Sequence, residues 1–224
     1  MKTRTAFCFL VIIMLIAQHN HSFAGLASQI LLPTPKLKGT VSVEETLSKR
    51  RSIRYYSEAE LTFDEISQLL WAGQGITGST GKRTAPSAGA LYPLILYLVV
   101  GKVKGLPSGI YRYNPHKHAL VRIKGGDFRI KLSAAALGQR WVADAPASVV
   151  FAVNYEKMSS YAQRGKMYAN IEQGHAAQNI LLQAVALGLG AIPIGAVRQD
   201  AAAEILDLPA ALSAEYIICM GKAE

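Results

Sequence analysis

The sequence predicts one domain in which a buried helix is combined with several apolar strands. Three observations indicate this. An almost entirely apolar helical segment begins at Asn170, residues 92–100 read as a buried strand, and residues 109–113 and 119–123 read as a hairpin. A helix that is apolar on nearly every side is typical of a buried central helix. A chain of 224 residues is long enough for one full hydrophobic core.

The first 24 residues have the pattern of a secretory signal. Lys2 and Arg4 precede an apolar run over residues 6–17, and Ser22-Phe23-Ala24 offers a cleavage site. The run is shorter than the ~20 residues that cross a bilayer. We therefore expect residues 1–24 to be a cleaved signal peptide that directs export, in a bacterium to the periplasm. A retained anchor is the less favoured alternative, and no stable membrane insertion is expected.

The remaining chain divides into an extended arm over residues 25–40 and a folded domain over residues 41–224. Residues 43–49 have short-helix character, and Thr62 with Glu65 forms a capping box that starts a helix ending at Gly73. The long loop over residues 73–89 is rich in Gly, Ser and Thr, as functional or disordered loops often are. The other predicted elements are a helix over residues 128–137, a strand over 149–155, a helix capped by Asp200 that runs to Leu206, and a last strand over 215–220.

Composition excludes several classes of function. The formal net charge is +9, and removal of residues 1–24 takes away two cations and no acid, which leaves +7. A single dense basic cluster does not provide the basic stripe interleaved with aromatics that nucleic-acid binding needs, and it fits a small anionic ligand better. Cys8 lies in the signal, so Cys219 remains alone in a predicted buried strand, without a disulfide or a metal-binding cysteine pattern. We expect no metal and no nucleic acid.

Residues 170–197 form the predicted centre of the domain. A polar stripe of Glu172, His175, Asn179 and Gln183 recurs every three or four residues, which places these side chains on one face of the helix. Gly188 and Gly190 then end the helix. The apolar run over residues 191–197 contains Pro193, which cannot donate to a strand ladder, so we expect an irregular or edge segment there.

The basic cluster lies at residues 49–54. If this piece is extended, Arg50, Ser52 and Arg54 share one face, while Ile53 and Tyr55 turn inward. Two guanidinium groups and a hydroxyl on one face suit a phosphate, because Arg binds such oxygens bidentately. A solvated run of charge is the competing interpretation.

Three motifs in this order resemble the FMN-dependent nitroreductase family, most closely its SagB-type dehydrogenase branch. They are Arg50-Arg51-Ser52-Ile53-Arg54, then the run from Pro86 through Pro93, and then the run from Gly174 through Ala196. The resemblance covers residues 48–221. It implies an α+β fold, a three-layer α/β/α sandwich with a mostly antiparallel mixed sheet, and a homodimer with two flavin sites at its interface.

The resemblance also implies roles for individual residues. Arg50, Arg51 and Ser52 would hold the FMN phosphate, and Arg54 would reach the N1/O2 edge of the ring, where reduction places negative charge. Gly195 and Ala196 would present backbone N–H groups to N5 and O4. The further implied residues are Pro86, Ser87, Ala88 and Gly89 against the ring or ribityl chain of a partner's flavin, Asn179, Pro193 and Ile194 as cofactor contacts, Tyr168 as a catalytic residue, and Lys222 near the phosphate.

The activity that the resemblance implies is FMN-dependent hydride transfer between NAD(P)H and a small organic acceptor, in two steps at one flavin site. One alternative is an azoline dehydrogenase of peptide modification, in which a Lys-Tyr pair is expected where this chain has Met167-Tyr168. A second alternative is a catalytically idle flavin-binding protein.

Overall fold

The computed structural model describes residues 29–224, so the expected signal peptide and cleavage site lie outside the described residues. Within that range the protein has three layers, with a seven-stranded sheet between two layers of helices. This confirms the α+β sandwich. The strands are β1 (Gln29–Leu31), β2 (Leu94–Val100), β3 (Gly109–Asn114), β4 (Ala119–Gly125), β5 (Ala147–Asn154), β6 (Gly190–Ile194) and β7 (Leu212–Gly221). The α-helices are α1 (Val43–Lys49), α2 (Phe63–Gln74), α3 (Arg129–Ala135), α4 (Arg140–Asp144), α5 (Arg164–Ala186) and α6 (Gln199–Leu206).

The sheet has the order β1-β4-β3-β2-β5-β7-β6. Every neighbouring pair of these strands is antiparallel, and parallel pairing within residues 29–224 is limited to isolated bridges. The strand that contains Pro193, β6, lies at one edge, as its proline requires.

Each face of the sheet packs against its own layer of helices. One face packs against α2 and α5, and the opposite face packs against α3, α4 and α6. Strands covered on both faces are apolar at almost every position, which is why β2 and β5 read as continuous apolar runs rather than alternating ones. Cys219 is fully buried in β7, as predicted.

Helix α2 begins with the predicted capping box. The Thr62 hydroxyl accepts from the Glu65 N–H (3.2 Å), and the Glu65 carboxylate accepts from the Thr62 N–H (2.7 Å). Such a cap stabilises a helix by about 1 kcal/mol. The amide of Gln68 on α2 then pairs with the backbone of Lys36, accepting at 2.8 Å and donating at 3.0 Å. The N-terminal arm is thereby attached to the domain.

Three sequence predictions differ from the structure. The central helix α5 begins at Arg164 rather than at Asn170, and α4 and β1 were not predicted. The predicted cap at Asp200 is wrong, because Arg198 occupies the cap position and Asp200 lies in the first turn of α6. Gly188 ends α5 in the left-handed conformation (φ +71°), but Gly190 is the first residue of β6.

None of the helices within residues 29–224 is long and apolar enough to cross a membrane.

Candidate active site

The basic segment runs parallel to the edge strand β6. Ser52 forms a parallel bridge with Ala191, and the Ile53 N–H donates to the Ala191 carbonyl at 3.0 Å. This approach depends on Gly190, because a Cβ atom there would lie 2.6 Å from Cγ2 of Ile53. The bridge is isolated, so the pairing of the two segments is limited to Ser52, Ile53 and Ala191.

A cleft of about 230 Å³ opens where this segment meets the end of α5. Lys49 and Arg51 bring positive charge to it, and Gly188 and Gly190 contribute backbone without side chains. Lys49 is paired with Glu45 (2.6 Å), whereas Arg51 donates only to the carbonyls of Ser48 and Arg50. The remaining lining residues are Ile53, Leu181, Val185, Leu189, Ala191 and Ala223.

The positive charge at this edge is not neutralised by acids of the described chain. Within residues 29–224, no carboxylate lies in ion-pairing distance of Arg50, Arg51 or Arg54. Guanidinium groups without a carboxylate partner, next to glycine backbone, suit a phosphate or another compact anion. The donor set therefore fits the phosphate end of an anionic ligand.

The predicted orientation of this segment holds only in part. Ile53 packs inward against Gly190, but Tyr55 is 74% exposed, so the prediction that it turns inward was wrong. Tyr56 is the buried aromatic, and its hydroxyl donates to the Ile53 carbonyl at 3.1 Å. Arg54 and Tyr55 are both exposed and Tyr56 is buried, so the strict alternation of an extended segment does not hold past Ile53. Of the predicted phosphate ligands, Arg51 lines the cleft, and Arg50 and Ser52 flank it in sequence.

Arg54 lies over an aromatic ring. Its guanidinium carbon is 5.3 Å from the centroid of Trp141 on the unpredicted helix α4. Such stacking fixes the direction of a guanidinium that has no acidic partner. Sequence reasoning missed Trp141, because nothing near residue 141 signals its proximity to residue 54.

The end of β6 leads into backbone without strand partners. β6 pairs with β7 as far as Ile194, and the following residues, Gly195 and Ala196, are exposed. Within residues 29–224 their N–H groups make no backbone hydrogen bond, so they are available to a ligand. A second cleft, of about 360 Å³, is lined by Asn170, Gln173, Gly174, Glu215 and Tyr216. The Tyr216 ring edge lies 3.8 Å from the position that a Cβ atom on Gly195 would take, so this cleft borders the end of β6.

The loop over residues 86–90 is a tight, irregular turn. Gly89, Ala90 and Tyr92 all have positive φ, between +47° and +59°. The Ser87 hydroxyl accepts from the Tyr92 N–H at 2.9 Å, which closes the turn. Pro86 and Gly89 are exposed, and Ser87 and Ala88 are half-buried. Positive φ at the two non-glycine residues, Ala90 and Tyr92, is sterically costly unless the surroundings hold it, and such strain clusters at functional sites.

The predicted polar stripe on α5 divides into separate contacts. Asn179 donates to the carbonyl of Thr84 (3.2 Å), which lies in the long loop over residues 73–89. Gln183 accepts from the side chain of Gln68 on α2 (3.2 Å). Glu172 is buried, whereas His175 is exposed. The structure therefore does not bring all four side chains to one site.

Tyr168 and Lys222 have contacts of their own. Tyr168 packs edge-to-face on Tyr161 with 5.0 Å between ring centroids, and the Tyr161 hydroxyl lies 2.8 Å from the Cβ position of Gly89. Tyr168 is thus linked through Tyr161 to the loop over residues 86–90. Lys222 pairs with Glu65 of α2 at 3.5 Å and does not line the first cleft, although its neighbour Ala223 does. Within residues 29–224 no cluster of three His, Cys, Asp or Glu side chains has the arrangement of a metal site.

Comparison with known proteins gives consistent matches. The family model described as the nitroreductase family matches residues 47–222. A Methanocaldococcus jannaschii protein designated a nitroreductase, MJ1384, is 42% identical over 169 residues, which are 75% of this chain and 85% of that protein. The NADPH-flavin oxidoreductase of Vibrio harveyi is 29% identical over 186 residues, 79% of this chain and 64% of that protein. A crystal structure from Ralstonia eutropha, also designated a nitroreductase, superposes with a TM-score of 0.78 at 29% identity, over 90% of this chain and 92% of the other.

Proposed function

Because this chain belongs to the nitroreductase family and is thus an oxidoreductase, we propose that it uses FMN to transfer hydride between NAD(P)H and a small organic acceptor. The observation that carries this proposal is the parallel contact between Ser52 and Ala191. It aligns a row of unneutralised cations with an edge strand that ends in free backbone N–H groups. The name of the Vibrio harveyi relative, an NADPH-flavin oxidoreductase, supports the choice of flavin and donor.

The residues at this edge fit FMN from one end to the other. Arg50, Arg51 and Ser52 would hold the phosphate at the first cleft, where glycine backbone leaves room for its oxygens. Arg54, which stacks on Trp141, would face the N1/O2 edge of the flavin ring. Gly195 and Ala196 would donate their N–H groups at the N5/O4 edge. Pro193, Ile194 and Asn179 would support this arrangement from β6 and α5, and Lys222 would add charge near the phosphate if it leaves Glu65.

FMN, when bound, would supply the two-step chemistry, accepting hydride from NAD(P)H and passing it to the acceptor. The chain's own part is to position the reactants and exclude water, which can account for much of the rate of such a reaction. Arg54 would stabilise negative charge at its end of the site, by the same electrostatics as an oxyanion hole. Tyr168, which packs on Tyr161 beside the loop over residues 86–90, would line the part of the site where the acceptor binds.

We also propose a homodimer. Met167 and Ile171 on α5 are about half exposed (50% and 48%), which is unusual for large apolar side chains on a central helix. A second copy packed there would cover them and would bring its own loop over residues 86–89 to the flavin. Export of the chain, with residues 1–24 as the signal, is part of the same proposal.

The SagB-type branch is proposed on the motifs alone. The azoline dehydrogenase alternative expects a lysine at the position of Met167, and a half-exposed methionine cannot replace its ammonium group. The idle flavin carrier would bind FMN but would not be reduced by NADH or NADPH.

One purification tests the proposal. The chain from Gly25 onward is expected to be yellow and dimeric, with FMN as its chromophore. Anaerobic NADH or NADPH should bleach the colour, and a quinone or nitroarene should restore it. Arg51→Ala is expected to weaken FMN binding by tenfold or more (~1.4 kcal/mol or more), whereas Arg140→Ala, at an exposed ion pair with Asp144, should bind normally. A colourless monomer that does not take up added FMN would refute the proposal.

A further inference from the structure

A buried polar cluster lies beneath the loop over residues 86–90. Glu172 of α5 is 2% exposed, and both of its carboxylate oxygens are buried without a hydrogen-bond partner. Two buried donors of the cluster, Nε2 of Gln74 and Nε of Arg83, are also without partners. Buried polar groups are nearly always paired, so four unpaired atoms in one cluster require an explanation.

The cluster has few connections to the rest of the chain. Arg83 donates to the Gln74 side chain at 2.6 Å and stacks on the Tyr92 ring at 4.4 Å. The charged groups that influence Glu172 are both cations, Arg83 and Lys157. The Ser87 hydroxyl and the Gln74 amide are near enough to lower the pKa of Glu172, yet neither meets hydrogen-bond geometry.

Burial is the largest influence on the pKa of Glu172. It raises the pKa of this carboxyl, and its effect outweighs the opposing effects of Ser87, Arg83, Gln74 and Lys157. A carboxyl whose pKa is raised by burial holds its proton at pH values where an exposed one has lost it. A protonated carboxyl also has an O–H group to donate, which an ionised one lacks.

Ser87 connects this carboxyl to the proposed active site. Its hydroxyl has one hydrogen to donate and two acceptor positions. One acceptor position is taken by the Tyr92 N–H (2.9 Å). The second acceptor position is free for a protonated Glu172, and the hydroxyl hydrogen is then free for another acceptor. Ser87 is half-buried and belongs to the loop that would contact the flavin of the second copy, so the site that it would serve is the one shared across the proposed dimer.

We propose that Glu172 is the internal proton donor of this site and that it acts through the Ser87 hydroxyl. This rests on the proposed function, in which NAD(P)H and one proton convert the acceptor to its reduced form, so each hydride requires one proton. Glu172 gives its proton to Ser87, and Ser87 passes its own hydrogen to the acceptor side. The Glu172 carboxylate then regains a proton from solvent by the same route, so no other reactant is needed.

The test compares Glu172→Gln, Ser87→Ala and the control Glu156→Gln, which alters an exposed glutamate on the adjoining turn. Infrared spectra of the protein without substrate should show a protonated carboxyl band in neutral buffer, lost in Glu172→Gln and kept in Ser87→Ala and Glu156→Gln. Acceptor reduction should be slowed by about tenfold or more in Glu172→Gln and Ser87→Ala, within the usual range for a positioned acid. In the wild-type protein the rate of acceptor reduction should decline at alkaline pH and should show a solvent isotope effect. Both features should disappear in Glu172→Gln and Ser87→Ala.

Several results would overturn the proposal. One is that the wild-type protein lacks the infrared band of a protonated carboxyl. Another is that acceptor reduction by Glu172→Gln keeps the pH profile of the wild-type protein. If Glu172→Gln does not fold, an unchanged pH profile in Ser87→Ala overturns it equally. If NAD(P)H reduces the protein but its infrared spectrum shows no protonated carboxyl in neutral buffer, the role of Glu172 as proton donor is refuted and the proposed function stands. A protein that binds no flavin refutes both.

Discussion

The guanidinium group of Arg54 lies 5.3 Å from the centre of the Trp141 ring, and this contact joins the basic segment to the helix layer on the far side of the sheet. The indole N–H of Trp141 is buried without a partner, so the ring contributes its face and not its polar edge.

Replacement of Trp141 by Leu should therefore weaken FMN binding by about two- to fivefold, since an exposed cation–π contact contributes ~0.5–1 kcal/mol. Arg54→Ala should weaken it further and slow flavin reduction. Fluorescence titration with FMN and stopped-flow reduction by NADH or NADPH measure the two effects. Unchanged FMN affinity and reduction rate in both variants would contradict the proposed contact of Arg54 with the N1/O2 edge of the flavin.

Gly190→Ala should separate the basic segment from β6. The new methyl group would lie 2.6 Å from Cγ2 of Ile53, and overpacking of this kind costs ~1–3 kcal/mol. Urea denaturation should show the loss, and FMN affinity should fall with it because Ser52 moves away from Ala191. Gly39→Ala is the matched control, since no atom lies within 4 Å of a Cβ there. Equal stability of the two variants would show that the segment adjusts without cost.

Stability should fall as the pH drops below the ordinary pKa of histidine, because of His118. Its Nε2 lies 3.0 Å from the Pro33 carbonyl and 2.7 Å from the Ser67 hydroxyl, and its Nδ1 lies 2.8 Å from the Tyr113 hydroxyl. Burial lowers the pKa of His118 below its usual 6.5, so the unfolded chain binds a proton more readily than the folded one. This contribution is complete above pH 6.5 and is lost progressively as the pH falls from 6.5 through the folded-state value.

Thermal unfolding at a series of pH values measures this effect. His118→Asn removes the titrating group and suits the positive φ of this position (+44°), so its stability should vary less across the same pH range. The exposed His116 offers the control His116→Asn, which should keep the wild-type dependence. The same slope in all three proteins would assign the pH dependence to other groups.

Cys219 should not react in the native protein. It is fully buried, and burial raises the pKa of its thiol to about 12, so almost no thiolate exists at neutral pH. Iodoacetamide should label the chain from Gly25 onward only after denaturation, as mass spectrometry can show. Complete labelling of the native protein would mean that β7 opens readily.

The elements defined by local signals were predictable from the sequence. The Thr62–Glu65 cap and the hairpin around Asn114 follow from short-range patterns, and they are present in the structure. The start of α5 was not predictable in this way, because Gly165 weakens the helical signal near Arg164. In the structure Gly165 is required by packing, since a Cβ atom there would lie 2.6 Å from the Met158 carbonyl.

The site was predictable only as separate pieces. The basic segment, the loop over residues 86–90 and the run through Pro193 carry recognisable motifs, but their contacts depend on tertiary register. Trp141 beside Arg54 and Arg83 near Glu172 are pairs distant in sequence, and no periodicity brings them together. Tyr55 was misplaced for the same reason, because the alternation that would turn it inward does not hold past Ile53.

The position of β6 at the edge of the sheet has a consequence for the order of events during synthesis. Its strand partner is β7, which leaves the ribosome after it, and the bridge from Ala191 to Ser52 spans most of the folded domain. A nascent chain can therefore pair β2 with β5 before β6, β7 and the first cleft can form. Capture of a cofactor would then be one of the last events in maturation, so a loaded protein would report that translation and folding have both finished.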